Sequence, residues 1–403
     1  LLFFLNIPEK YFASFYRMIS PGYNIHMTYT YTHLGIFSDI VEAAQSQTSL
    51  YPMTPPGVDT QSKLREVLGF CSLPEVPIQV QTEETWEKDG LVGERVSWWV
   101  GYGPRTQSYV LKPAGAKQPL PAVLTLHDHG GFKFFGKEKI ADSPHALHKS
   151  IINHREAYYG NRAYPNLLAR EGFVVLVHDC FLWGSRRFLW EDFPADIRQM
   201  AEDRVRLYPP EDTLLEVELY NRATWHHENL VEKYLNLLGT TLAGVVSFED
   251  RVAVNYLLSR SDVQPGHIAC MGLSGGGNRS ALLLATHPAI RAAIIIGLMS
   301  TYPGLLDHNV FSHTWMFFPS GWARKGDWPD IAACRAPLPL LVQYDLDDSL
   351  FTVEGMKAAH HCISDHYQKT GNPDAYIGQF YPGPHKFDQE MQIAAFSWLT
   401  SNL

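Results

Sequence analysis

From residue 76 onward, short apolar runs alternate with longer stretches of helical period. Segments 78–82 and 94–100 alternate apolar and polar residues, which predicts half-buried strands, and 106–112 predicts a further short one. Leu120–Leu126, 173–179, 267–273, 291–298, 337–344 and 375–381 are nearly continuous apolar runs of strand length. Such runs belong to strands covered on both faces. Helical patterns fall near 60–70, at Tyr164–Arg170, at 241–260, after Ser274, and at 389–399. Strands alternating with helices predict an α/β fold: a mostly parallel sheet with helices on both faces.

Three segments break the alternation. Residues 133–162 are polar and rich in His and Lys, 186–238 are helical in pattern, and 301–334 are rich in aromatics. Each is much longer than the ~2–6 residues of an ordinary strand–helix connection, so each is expected to form a lid or binding wall. Residues 1–75 carry no readable chemistry. They predict an N-terminal extension that caps the main domain or forms a homo-oligomer contact, with 76–403 as the catalytic domain.

Composition narrows the class. Of the residues, 45% are hydrophobic and 19% charged, as in globular chains. The net charge of −9 provides no basic face for a phosphate backbone, so nucleic acid is not an expected partner. No apolar stretch reaches the ~18 residues of a membrane span. Leu1 to Leu5 is apolar but lacks preceding basic residues and a small-residue cleavage site; a cytoplasmic protein is expected. The five cysteines (Cys71, Cys180, Cys270, Cys334, Cys362) are widely spaced, with no Cys-x-x-Cys, so neither a zinc ribbon nor a disulfide scaffold is suggested. The closest histidine pairs are His127 with His129, His226 with His227 and His360 with His361. None reads as a chelating set, so no metal and no cofactor is expected. Asn278-Arg279-Ser280 fits a glycosylation sequon but lies in the predicted helix behind Ser274, where a glycan has no room.

The chemistry concentrates at strand ends. Gly272-Leu273-Ser274-Gly275-Gly276 joins an apolar strand to a helix. A serine on so tight a turn projects its hydroxyl from the sheet, and glycines let strand and helix approach. The strand Leu120–Leu126 runs into His127-Asp128-His129-Gly130-Gly131-Phe132, a turn whose amides can face an oxyanion. Gly275 and Gly131 are the expected oxyanion donors, and His129 is expected to brace the loop. The strand 337–344 ends in Asp345-Leu346-Asp347-Asp348, three aspartates among which composition does not choose. The strand 375–381 is followed by Pro382-Gly383-Pro384-His385, a loop histidine before the last helix.

The order Ser, Asp, His resembles the α/β-hydrolase superfamily. Within it, His129-Gly130-Gly131, Gly272-Leu273-Ser274-Gly275-Gly276-Gly277, Asp348-Ser349-Leu350-Phe351 and Gly383-Pro384-His385-Lys386-Phe387 resemble the dienelactone-hydrolase and acetyl-xylan-esterase-like bacterial esterases over about 75–403. The resemblance implies Asp348 as the acid, since apolar Leu350 and Phe351 follow it, with Asp347 in reserve. Dienelactone hydrolases proper carry a cysteine nucleophile, and this chain has serine; ordinary ester hydrolysis follows. The expected enzyme is a serine esterase with catalytic Ser274, His385 and Asp348. Its expected substrate is a small-molecule ester with a short acyl group, held by aromatics such as Phe132, Trp183 and Trp315. A bulky aromatic ester, a prolyl-oligopeptidase-like peptidase activity, and a non-catalytic binding protein on the same fold are the competing expectations.

Overall fold

The computed structural model describes residues 31, 33–47, 49–210, 215–306 and 308–403. The opening Leu1 to Leu5, and a few residues in the second and third inserts, lie outside them. The chain divides into two compact units, Leu1–Gln47 and Thr48–Leu403. In the first, a 3-10 turn at Gly35–Phe37 leads into a helix at Asp39–Gln47, and Ser38 Oγ closes the turn by donating to the Gly35 carbonyl at 2.8 Å.

The second unit is built on one nine-stranded sheet: β1 Ile78–Lys88, β2 Leu91–Trp99, β3 Thr106–Pro113, β4 Leu120–Leu126, β5 Val174–His178, β6 Val263–Leu273, β7 Ile290–Ile296, β8 Leu340–Asp345 and β9 Tyr376–Tyr381. Their order is β1-β2-β3-β5-β4-β6-β7-β8-β9. The six strands from β5 to β9 along that order run parallel, and the β1–β3 meander joins antiparallel at one edge. This is the α/β-hydrolase fold, with the sheet in the mostly parallel form expected.

The continuous apolar runs of β4, β6 and β7 are explained by what lies on each face. Ala122, Leu124, Cys270, Ala293 and Ile295 point into one core, with the helices Val58–Val67, Leu242–Ser259, Gly275–Thr286 and Val353–Lys369. Val123, Ala269, Met271, Ile294 and Ile296 point into the other, with the helices Tyr164–Arg170 and Gln389–Asn402. Alternating side chains of period two thus feed two apolar layers, and no strand position needs to be polar. The helix Val58–Val67 packs into the first core, so the larger unit begins upstream of the expected 76.

The inserts contain helices Lys149–Tyr158, Ala195–Leu207 and Leu215–Leu237, and a series of 3-10 turns from Val310 to Arg324. The polar first insert is not a solvated loop. Lys133, Lys137 and Lys139 are each at most 2% exposed. Lys137 Nζ pairs with Asp179 at 3.0 Å and Lys139 Nζ with Asp128 at 3.1 Å. Asn278, Arg279 and Ser280 are buried in the helix behind Ser274, so the sequon is sterically closed. Among the described residues, no helix is long and apolar enough to cross a membrane.

Candidate active site

The site begins with backbone. Ser274 is the N-cap of Gly275–Thr286 and holds φ 58°, ψ −120°, a region few L-residues adopt. Its N–H donates to the Ile296 carbonyl of β7 at 2.8 Å, and its carbonyl accepts from Asn278 N–H at 2.9 Å. Both bonds hold the strained turn in place. A Cβ on Gly272 would lie 2.4 Å from the Leu126 oxygen, and one on Gly276 only 2.1 Å from it. The two glycines therefore set how closely the helix approaches β4.

The neighbouring loop leaves β4 through His127 and turns at Gly130 (φ 57°) and Gly131 (φ 60°), closed by Phe132 N–H donating to the His129 carbonyl at 3.1 Å. Two successive residues at positive φ require glycine. Gly275 sits against this turn: a Cβ there would be 2.7 Å from the His129 backbone nitrogen. As first residue of its helix, Gly275 has an N–H with no acceptor four residues back. The Gly131 N–H donates to His129 Nδ1 at 3.1 Å, so it is engaged inside the turn, and the His129 amide is the loop amide placed against Gly275.

Of the three aspartates, Asp348 meets the histidine. Its Oδ2 lies 2.6 Å from His385 Nδ1, and its Oδ1 accepts from Leu350 N–H at 2.9 Å. Asp347 braces the histidine loop instead, accepting from Gly383 N–H at 2.7 Å. Asp345 accepts from Lys386 N–H at 3.0 Å, and its other oxygen is buried without a partner. Burial pushes the Asp345 carboxyl up to about 7. For His385, burial favours the neutral ring, but the Asp348 carboxylate outweighs it and lifts the imidazole above its ordinary value. His385 stands over the end of β7, where a Cβ on Gly297 would be 3.1 Å from its Cε1 and 2.8 Å from Leu273 beside the serine.

A cavity of about 490 Å³ opens next to His129, lined by Trp225, Phe311, His313, Trp315 and Phe318 with Glu228 and Asn229. The second and third inserts build it. Trp315 is on the wall, its indole donating to Asn229 at 2.8 Å. Trp183 is buried beneath the His129 turn, edge-on to the imidazole at 5.2 Å, and Phe132 is buried against Phe135 and Ile151. These two shape the loop from behind. His313 stacks on Phe317, and its Nε2 lies 2.9 Å from the Leu350 carbonyl. Burial holds its ring down to about 4.

Glu228 and Asp128 escape a reading of motifs alone. Asp128 accepts from Tyr159 OH at 2.6 Å and His154 Nε2 at 3.1 Å, besides Lys139. Glu228 did leave a signal: Val217, Tyr220, Thr224, Glu228, Val231 and Leu235 form one helical stripe, and a lone carboxylate within such a stripe must be paired. Among the described residues, two groups of side chains have the composition of a metal site, Asp345 with Asp348 and His385, and Asp330 with Cys362 and His366. Direct pairing of His385 with Asp348 and of His366 with Asp330 (2.7 Å) accounts for both.

Comparison with known proteins agrees with this architecture. No family model matches the chain. A protein of Bacillus subtilis (strain 168), provisionally named the hydrolase YtaP, is 23% identical over 301 residues, covering 74% of this chain and 84% of its own. Among solved structures, a protein of Bacteroides fragilis provisionally named an acetyl xylan esterase superposes with TM-score 0.59 at 16% identity, over 80% of this chain and 73% of its own. A promiscuous CE15 esterase from a marine bacterial metagenome gives 0.57 at 14% identity, over 89% and 99%. A glucuronoyl esterase from Solibacter usitatus gives 0.58 at 13%, over 85% and 91%.

Proposed function

We propose that this protein is a serine hydrolase of carboxylic esters. The observation that carries the proposal is the 2.6 Å His385–Asp348 pair standing beside a serine held at positive φ on a helix N-terminus. Ser274 Oγ attacks the ester carbonyl. His385 takes the proton from Oγ and returns it to the leaving alcohol, while Asp348 keeps the Nδ1 tautomer and stabilises the imidazolium. The oxyanion is held by the Gly275 N–H and a loop amide; the His129 nitrogen lies against Gly275, while the Gly131 N–H is bonded to His129 Nδ1. Water then cleaves the acyl-enzyme by the same route, and the serine proton returns. The esterase names of the structural neighbours support the reaction class.

Short acyl groups and small or medium esters are the proposed substrates. The cavity next to His129 is walled by rings and has the volume of a small-molecule site, which supports small or medium esters over intact polymers. The test has two arms. A fluorophosphonate probe should label Ser274, and Ser274→Ala should lower kcat by about 10⁴-fold with the fold intact; an active alanine variant would end the proposal. Rates on p-nitrophenyl esters from acetyl to palmitoyl should peak at the short end. A maximum at eight carbons or beyond, or a jump at a lipid–water interface, would instead assign the inserts to a lipase lid.

A further inference from the structure

Glu228 lies on Leu215–Leu237, about a hundred residues after the His-Gly-Gly turn, yet it is the point where three parts of the site meet. It is 6% exposed. Its Oε2 accepts from His129 Nε2 at 2.8 Å and from Lys133 Nζ. Its Oε1 accepts from Thr314 Oγ1 at 2.8 Å and from Trp315 N–H at 3.0 Å. A carboxylate has about four acceptor sites, and all are taken. The donors come from the oxyanion-side turn, from Lys133 at the start of the first insert and from the third insert, and the acceptor from the second.

The His129 ring connects this carboxylate to backbone. Its Nδ1 accepts the Gly131 N–H at 3.1 Å, so the ring proton is assigned to Nε2, where Glu228 receives it. Burial lowers the pKa of this ring and so favours its neutral form, against the opposing pull of Glu228. For Glu228, burial alone would raise its pKa, but Lys133 and His129 outweigh burial and hold it well below the usual carboxylate range. The other side of His129 is also held: its carbonyl accepts from the Trp183 indole and from Lys139 Nζ, each at 3.4 Å. The backbone nitrogen between these anchors is the one against Gly275.

We infer that Glu228 is a positioning residue for the oxyanion side of the reaction: through the His129 imidazole it fixes the turn, and with it the His129 amide, against Gly275. The second and third inserts then complete the reactive geometry in addition to walling a cavity. The inference rests on the esterase reading above. A neutral group facing Nε2 no longer dictates the tautomer. A ring protonated at Nδ1 would repel the Gly131 N–H and loosen the turn.

Two variants test this, with p-nitrophenyl acetate as substrate. Glu228→Gln keeps the shape and loses the charge. His129→Ala cuts only the relay and leaves Glu228 bonded to Lys133, Thr314 and Trp315, so it remains informative if Glu228→Gln fails to fold. Each should lower kcat by about 10- to 100-fold, somewhat less than outright loss of an oxyanion donor, with KM within about threefold. A trifluoromethyl ketone, which binds as the tetrahedral adduct, should weaken by the same factor. The acid limb of the pH profile should stay in place, because the His385–Asp348 pair is untouched. The double variant should be no worse than the worse single one, since both break one chain of contacts. Wild-type kcat in His129→Ala, or a loss carried entirely by KM, would overturn the inference. If Ser274→Ala is inactive while His129→Ala is normal, the inference alone fails; if Ser274→Ala is active, the esterase reading fails first.

Discussion

Gly276→Ala is the substitution that interrogates the elbow most directly. The added methyl would lie 2.1 Å from the Leu126 oxygen and 2.9 Å from its carbonyl carbon. Both are backbone, and β4 is bonded on one side to β5 and on the other to β6, so the strand cannot retreat. The helix Gly275–Thr286 has to move away by about 1 Å to restore ordinary contact. Ser274 caps that helix and moves with it. His385 does not, because its loop is tied to β8 through Asp345, Asp347 and Asp348. A misplacement of about 1 Å between nucleophile and base costs on the order of 10²-fold in rate, or about 2.7 kcal/mol on the barrier. Overpacking costs about 1–3 kcal/mol of stability, so the variant folds with a Tm lowered by several degrees. The assay is kcat/KM for p-nitrophenyl acetate well below Tm, corrected by active-site titration with a fluorophosphonate. Gly115→Ala serves as the control: it sits at φ 77° with nothing within 4 Å, so it is strained without touching the elbow and should keep activity within about twofold. A Gly276→Ala enzyme as active as the Gly115→Ala control would refute the claim that Gly276 sets the serine–histidine spacing.

Asp348→Asn should lower kcat by about 10³- to 10⁴-fold and shift the acid limb of kcat/KM to lower pH. The sign follows from the balance at His385: the base works when neutral, Asp348 is what lifts its pKa, and burial alone lowers it. A limb that stays or moves upward in a pH titration contradicts this assignment. Asp345→Asn should stay within a few-fold of wild type at neutral pH, because the amide oxygen still accepts the Lys386 N–H and the carboxyl is already pushed up to about 7; inactivity like that of Asp348→Asn would show a shared acid role. Lys137→Met leaves Asp179 buried without its counter-charge. Loss of such a pair costs about 3–5 kcal/mol, to be read from thermal and urea unfolding, and an unchanged midpoint would show that the Ser185 and Lys137 backbone donors alone satisfy the carboxylate.

What the sequence determined by itself was whatever depends on neighbours along the chain. Strand and helix periods place β4 to β9 and their covering helices, because a residue's face is fixed by its local repeat. The elbow is legible for the same reason: strand, glycines, serine and helix are consecutive, and the close approach of Gly272 and Gly276 is a local demand. Tertiary structure decided every choice between chemically equal candidates. Asp345, Asp347 and Asp348 differ only in where their turn aims them, and one of them reaches His385 while another reaches Gly383. The aromatics sort likewise, Trp315 to a cavity wall and Trp183 beneath a loop. The burial of Lys137 and Lys139 has no local signature in the first insert, since the carboxylates that let them be buried are on other segments. Glu228 is the extreme case, with donors from residues 129 to 315. A buried charge is tolerable only where its partners converge, and convergence across the chain is a property of the packed fold, not of the sequence read in order.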